Sequence, residues 1–174
     1  MNDAIVSFDG GDKESGVKIL ESILKKEPNN EEVKNRLATF YYQLGEEEKF
    51  IEFVNDNNLK SATIYNMLAT IYQSRGELNM AEENFQLAIE ASPKSPQIYI
   101  NYAAYYQSQS KFDKALEIIE RGLTHTPGSI TMLNSAASIS LKMGDKSQSQ
   151  EYANAVLRLD PNNSQAKAIL AETI

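Results

Sequence analysis

The sequence predicts an all-α solenoid built from antiparallel helix pairs, and three observations lead to that expectation. First, two consecutive 34-residue segments, starting at Ala62 and Pro96, carry matching residue types at matching offsets. Ala69 falls over Ala103, Tyr72 over Tyr106, Ala81 over Ala115, Ile89 over Leu123 and Pro93 over Pro127. A period of roughly 20 to 50 residues marks stacked units that bury their apolar faces on one another. Second, apolar residues elsewhere in the chain follow helical spacing between turn residues. Third, Ala38, Ala69, Ala103, Ala137 and Ala171 are spaced 31, 34, 34 and 34 residues apart, and small side chains at such points let neighbouring helices approach closely.

Taken in order, Ala4 to Phe8 reads as the end of a first helix, and Asp9-Gly10-Gly11-Asp12 as its turn. That glycine-rich, acid-flanked loop lacks the strand and lysine signature of a phosphate cradle and the ligand offsets of an EF-hand, so it is read as an inter-helix turn. Val17, Ile19, Leu20, Ile23 and Leu24 give a helix that ends with Lys25 and Lys26, where cations suit the dipole, before Pro28-Asn29-Asn30. The unit 31–61 carries Val33, Leu37, Ala38, Phe40, Tyr41 and Leu44, a turn at Gly45-Glu46, and a second helix around Phe50, Ile51, Phe53 and Val54. It is only 31 residues long, its second helix fails at Asn55-Asp56-Asn57-Asn58, and Phe50 fills the slot of Ala81 and Ala115. A ring where small residues otherwise allow close contact should splay this hairpin. Units 62–95, 96–129 and 130–163 follow at full length, the last with Ser140 and Ser149 in place of the tyrosine and alanine. Residues 164–174 form a terminal capping helix with Ala166, Leu170 and Ala171 inward and Lys167 and Glu172 outward. The whole chain, 1–174, is thus one solenoid with a truncated first repeat at 1–30.

Composition excludes several function classes. With 41% apolar and 24% charged residues the chain has enough of both to fold as an ordinary water-soluble array. The net charge of -7 is concentrated N-terminally, where residues 1–61 hold 13 acidic against 8 basic side chains, and no basic stripe stands out. A nucleic-acid ligand and an acidic membrane surface are therefore not expected as partners. No apolar run is long enough for direct membrane insertion. The absence of cysteine removes disulfides, thiolate metal sites and cysteine nucleophiles. His125, the single histidine, sits near a helix end without a second ligand or a nucleophile in view, so no catalytic residue, cofactor or metal site is expected. Asn162-Asn163-Ser164 fits a glycosylation sequon but is better explained as the cap of the last helix. Projecting the period backwards sets Met1 inside a first helix. As a complete chain the protein is expected in the cytoplasm, and as a fragment its compartment stays open.

At this point the chain resembles the tetratricopeptide-repeat family. Residues 62–95 fill each signature slot with Tyr65, Leu68, Ala69, Tyr72, Ala81, Phe85, Ala88 and Pro93. Residues 96–129 match at Tyr99, Ala103, Tyr106, Ala115 and Pro127 and depart at Tyr102, Ile119 and Gly122. Pentatricopeptide repeats, about 35 residues long and usually basic, fit less well. The resemblance implies a right-handed superhelix whose concave groove is lined by the first helix of each repeat and holds a peptide or helix of a partner protein.

Carried over position by position, that resemblance sets Asn35, Thr39, Tyr42, Asn66, Thr70, Gln73, Gln97, Ile100, Ala104, Gln107, Asn134 and Ser138 in the groove. Asn35 with Thr39, Asn66 with Thr70 and Asn134 with Ser138 repeat one amide and hydroxyl pair, which suggests a ladder that donates to and accepts from an extended backbone. Repeat ancestry of solvated residues explains the same pattern. Ile100 and Ala104 interrupt it with an apolar spot suited to a ligand's anchor. Chaperone-binding members clamp a carboxylate with Lys and Arg, whereas the corresponding slots here hold Asn35, Thr39, Gln97, Asn101, Thr131 and Ser135, so such a clamp is not expected. Tyr41, Tyr72 and Tyr106 read as core, while Tyr42, Tyr102 and Tyr105 read as less constrained. The leading expectation is a non-catalytic scaffold for a peptide or helix. The alternative is a self-assembly module forming a homo-oligomer through its end helices or convex face.

Overall fold

The computed structural model describes residues 1–173, and among them it contains eleven α-helices and no strand. In order they are α1 (Asn2–Asp9), α2 (Lys13–Lys26), α3 (Glu31–Gln43), α4 (Glu47–Asp56), α5 (Ala62–Ser74), α6 (Leu78–Ala91), α7 (Pro96–Ser108), α8 (Phe112–His125), α9 (Ile130–Lys142), α10 (Lys146–Leu159) and α11 (Ser164–Thr173). The last residue expected in the terminal helix, Ile174, lies outside the described residues.

Local chemistry explains where these helices start. Asn30, Ser61, Ser129 and Asn163 precede α3, α5, α9 and α11, and each accepts a hydrogen bond from an amide three residues on, at 3.1, 3.3, 3.4 and 3.1 Å. Each bond satisfies one of the orphan amides of a first turn. Before α7, Ser95 makes no such bond, but Pro96 supplies a first helical residue that has no amide to satisfy.

The turns inside the pairs repeat one geometry. Gly45, Gly76, Ser110 and Gly144 take φ values of 73, 74, 59 and 81°, and the next amide returns to Tyr41, Tyr72, Tyr106 and Ser140 carbonyls at 2.9 to 3.0 Å. This is the left-handed C-terminal cap that glycine adopts without strain. Ser110 adopts it with a β-carbon. Asn58 does the same after α4, at φ 48°, and Leu59 folds back so that its amide reaches Val54 O at 3.0 Å and its side chain is buried. That cap ends α4 at 10 residues, against 14 in α6, α8 and α10, which makes the unit short. Phe50 is fully buried and lies edge-on to Tyr42 with ring centroids 5.7 Å apart, between α3 and α4.

The order of contacts defines the layers. Each helix packs on its successor, and the first helices also touch one another in the series α3, α5, α7, α9, α11. Among the described residues, the backbones of the second helices stand further apart than those of the first, and α8 meets α6 and α10 through the long side chains of Arg121 to Gln86 and of Glu120 to Tyr152. A stack that is closer along one side curves towards that side, so the first helices form the concave wall and α4, α6, α8 and α10 the outer layer.

Two expectations about the core are corrected. Tyr102 and Tyr105 are not loosely held: both are buried, because α7 is enclosed by α6 and α8, and Phe85 stacks on Tyr102 at 4.9 Å. Ala171 is exposed, while Ile169 and Ala166 face inward. Ala171 holds the slot that a partner helix covers in earlier units, and no described helix follows α11 to cover it. The family departure at Gly122 also has a cause. A β-carbon there would lie 2.7 Å from Cγ of the buried Tyr99 ring and 2.7 Å from Met132 Sδ.

Candidate functional site

Every residue expected in the groove lies on a first helix, on α3, α5, α7 or α9, but their side chains differ in availability. Gln97 and Ala104 are exposed; Asn35, Thr39, Tyr42, Asn66, Thr70, Gln73, Ile100, Gln107 and Ser138 are half-buried; Asn134 is buried at 6% exposure. Burial of Asn134 departs from the expectation that it lines the groove. Its Nδ2 donates to Asn163 Oδ1 at 3.3 Å, under the cap of α11, and its Oδ1 has no protein partner.

The amides are also engaged with the next repeat. Asn35 Oδ1 accepts from Ser61 Oγ at 3.3 Å, and Ser61 is the cap of α5. Asn134 reaches the cap of α11 with the opposite polarity, its Nδ2 donating to Asn163 Oδ1. Where Ser95 makes no cap bond, Asn66 Oδ1 accepts instead from Asn101 Nδ2 at 3.1 Å, and Gln97 Nε2 donates to Asn101 Oδ1 at 2.8 Å. The hydroxyls of Thr39 and Thr70 turn back onto the carbonyls of Asn35 and Asn66 at 2.8 and 2.9 Å. The recurring asparagine therefore joins one first helix to the start of the next, a structural use of the pattern that the sequence reading missed. Its signal was the capping residue at the head of each first helix, which lies beside the preceding asparagine once the units stack.

Two hollows open along the wall. One, of about 490 Å³, lies between α3 and α5 and is lined by Glu32, Asn35, Arg36, Thr39, Ser61, Thr63 and Ile64. The other, of about 390 Å³, lies towards the turn end, lined by Tyr42, Gln43, Gly45, Glu47, Thr70, Ile71 and Ser74. The sequence-derived residues Asn35, Thr39, Tyr42 and Thr70 thus border open space. Further along, α5 and α7 contain no ionisable acid or base other than tyrosine, and α9 contains only Lys142.

Behind the wall, a polar relay ties three helices together. Arg121 donates to Gln86 Oε1 at 3.1 Å, Gln86 Nε2 to the Tyr102 hydroxyl at 3.1 Å, and Tyr106 to Glu82 Oε1 at 2.8 Å, with the two phenols 3.3 Å apart. Burial, then the hydrogen bonds to Tyr102 and Glu82, pushes the Tyr106 phenol far above its ordinary value. Tyr41 and Tyr152 are raised likewise, by burial first and then by hydrogen bonds to Glu21 and Glu120. These acid partners hold the phenols in their protonated form; they do not activate them. Among the described residues, no group of three or more His, Cys, Asp or Glu is placed to hold a metal ion. No described helix is long and apolar enough to cross a membrane.

A curved stack of helix pairs with a continuous wall of first helices is the architecture of a helical-repeat solenoid. Tetratricopeptide-repeat models match residues 60–127 and 130–163. The chain belongs to the tetratricopeptide-repeat family, and in general terms it is a protein-interaction scaffold. No curated protein sequence matches it. Among solved structures it is similar to MamA, with a TM-score of 0.73 and 23% identity over 92% of this chain and 96% of that one. It is also similar to YrrB, described as a TPR protein with an unusual peptide-binding site, with a TM-score of 0.69 and 13% identity over 99% and 90% of the two chains. The first TPR of Spaghetti (RPAP3), bound to the HSP90 peptide SRMEEVD, aligns with a TM-score of 0.56 and 18% identity over 65% and 90%. At these identities the likeness establishes the fold.

Proposed function

We propose that this chain is a non-catalytic scaffold that holds a peptide or helical segment of a partner protein against the concave wall formed by α3, α5, α7 and α9. The observation that carries this reading is the pair of hollows between α3 and α5, at one end of that wall, with Thr39, Tyr42 and Thr70 at their edges. Tyr42 offers a half-buried ring and the threonines small polar contacts, a mixture suited to an interface rather than to bond making. The basic groups on these four helices are Lys34, which is paired with Glu31 at 2.9 Å, Arg36 and Lys142, too few to follow a phosphate backbone. The test is a pull-down with the native array and with a variant carrying Thr39→Arg, Thr70→Arg and Ala104→Arg. Proteins retained by the native array and lost by the variant support the groove; an unchanged set would reject it.

A second reading, self-assembly through the end helices, is favoured by Val6 on α1 and Leu159 at the end of α10, which are 71% and 53% exposed. Sedimentation velocity separates the two. A monomer at all concentrations removes the second reading, and a concentration-dependent oligomer dispersed by Val6→Ser or Leu159→Ser establishes it.

A further inference from the structure

We infer, resting on the groove reading above, that the segment held by α5, α7 and α9 is an uncharged, extended stretch of a partner protein that sets an apolar side chain beside Ile100 and Ala104. The inference comes from how charge is partitioned. Although 24% of the chain is Asp, Glu, Lys or Arg, α5 and α7 have none, and α9 has one, at its last residue. The charge lies on the outer helices, in the turns, and on α3 and α11 at the flanks of this wall. Neighbouring helix axes lie roughly 8–10 Å apart, so three of them span roughly 16–20 Å, the reach of about five or six extended residues.

An ionised group placed beside Ile100 and Ala104 loses water and finds no opposite charge on α5 or α7, and the lysine that ends α9, Lys142, already donates to Gln107 Oε1 at 3.2 Å; only pairing would offset that cost. A neutral segment carries no such cost. The wall's own polar atoms point the same way. Gln97, Asn101 and Asn66 are linked as one neutral chain of amides, which can meet a peptide backbone but not balance an ion. Ile100 is half-buried and Ala104 exposed, so between them they present apolar surface without a side chain to block access. Since no ion pair contributes, affinity should be almost independent of salt.

The probe is a library of random linear heptapeptides displayed on phage, selected on the full chain, on Ala104→Glu and on Ala104→Lys. Ala104 is exposed, so both variants should keep the native circular dichroism and melting curve, which is verified first. The native array is expected to enrich peptides with about five consecutive uncharged positions and a large apolar residue, matching the reach of the wall. The synthetic peptide's affinity should change less than about two-fold between about 50 and about 500 mM NaCl, and fall at least about ten-fold on Ala104→Glu. Ala104→Lys should shift selection towards acidic peptides. Native-array peptides rich in Asp, Glu, Lys or Arg, still lost on a charge variant, would overturn the neutral-segment inference and leave the groove standing. Peptides that bind native and variant arrays alike, or no enrichment at all, would overturn the groove reading itself.

Discussion

Gly122→Ala sets helix propensity against packing in a way that the structure resolves. Gly122 lies inside α8, where alanine is ordinarily the better helix former by about 1 kcal/mol. The new methyl would stand 2.7 and 2.9 Å from Cγ and Cδ2 of Tyr99 and 2.7 Å from Met132 Sδ. The thioether can swing aside at small cost, since methionine is flexible. The tyrosine ring cannot: it is fully buried, and its hydroxyl is anchored to Pro93 O at 2.9 Å. Overpacking of this kind costs about 1–3 kcal/mol, so the net effect is a loss of about 1 kcal/mol. Urea denaturation followed by circular dichroism is the assay, with Gly128→Ala as control, because a β-carbon at Gly128 meets nothing within 4 Å. The midpoint should fall for Gly122→Ala and stay level or rise for Gly128→Ala. A Gly122→Ala protein as stable as the control, or more so, would refute the reasoning that Tyr99 dictates glycine here.

Other outcomes follow from named contacts. Ser110→Gly should raise stability by up to about 1 kcal/mol, since Ser110 alone holds with a β-carbon, at φ 59°, the cap that glycine supplies in three sister turns; an unchanged or lower midpoint would contradict this. Tyr106→Phe should cost about 1 kcal/mol by leaving Glu82 without its donor, and a double-mutant cycle with Tyr102→Phe should be non-additive by about 0.5 kcal/mol or more if the relay acts as a unit. Asn35→Ala should lower stability by about 1 kcal/mol through loss of the link to Ser61, and a change in peptide affinity at constant stability would instead assign Asn35 to the ligand. Alkaline titration gives a further test. Tyr41, Tyr106 and Tyr152 have phenol pKa values raised above those of the unfolded chain, so the stability they contribute is complete below about pH 10 and lost as pH rises beyond it. Absorbance near 295 nm should show that part of the phenolate signal, that of Tyr41, Tyr106 and Tyr152, appears only as helicity is lost; complete ionisation with helicity intact would refute it.

The sequence alone determined the class of fold, and the reason is periodicity. A slot occupied by Ala69, Ala103 and Ala137 is buried in each case for the same reason, close helix approach, so one unit read correctly transfers to the next. Helix ends were legible as well, because capping is local: Asn163 beside α11 and Asn55 to Asn58 at the end of α4 act within a few residues of themselves. The short second helix was legible for that reason, since those four residues favour a turn where the sister units continue their helix.

Only the tertiary structure decided how the residues between those slots are used. Asn35, Asn66 and Asn134 look alike along the chain, yet one meets a serine cap, one an asparagine on the next first helix, and one an asparagine cap that shields it from solvent. Those partners lie 26, 35 and 29 residues away, beyond the reach of any local pattern. Tyr102 and Tyr105 were misjudged for the same reason, since their burial depends on α6 and α8 closing around α7. Helical spacing fixes which side of a helix a residue occupies. What stands opposite that side is set by stacking, and it decides whether an asparagine joins two repeats or remains free to meet a ligand.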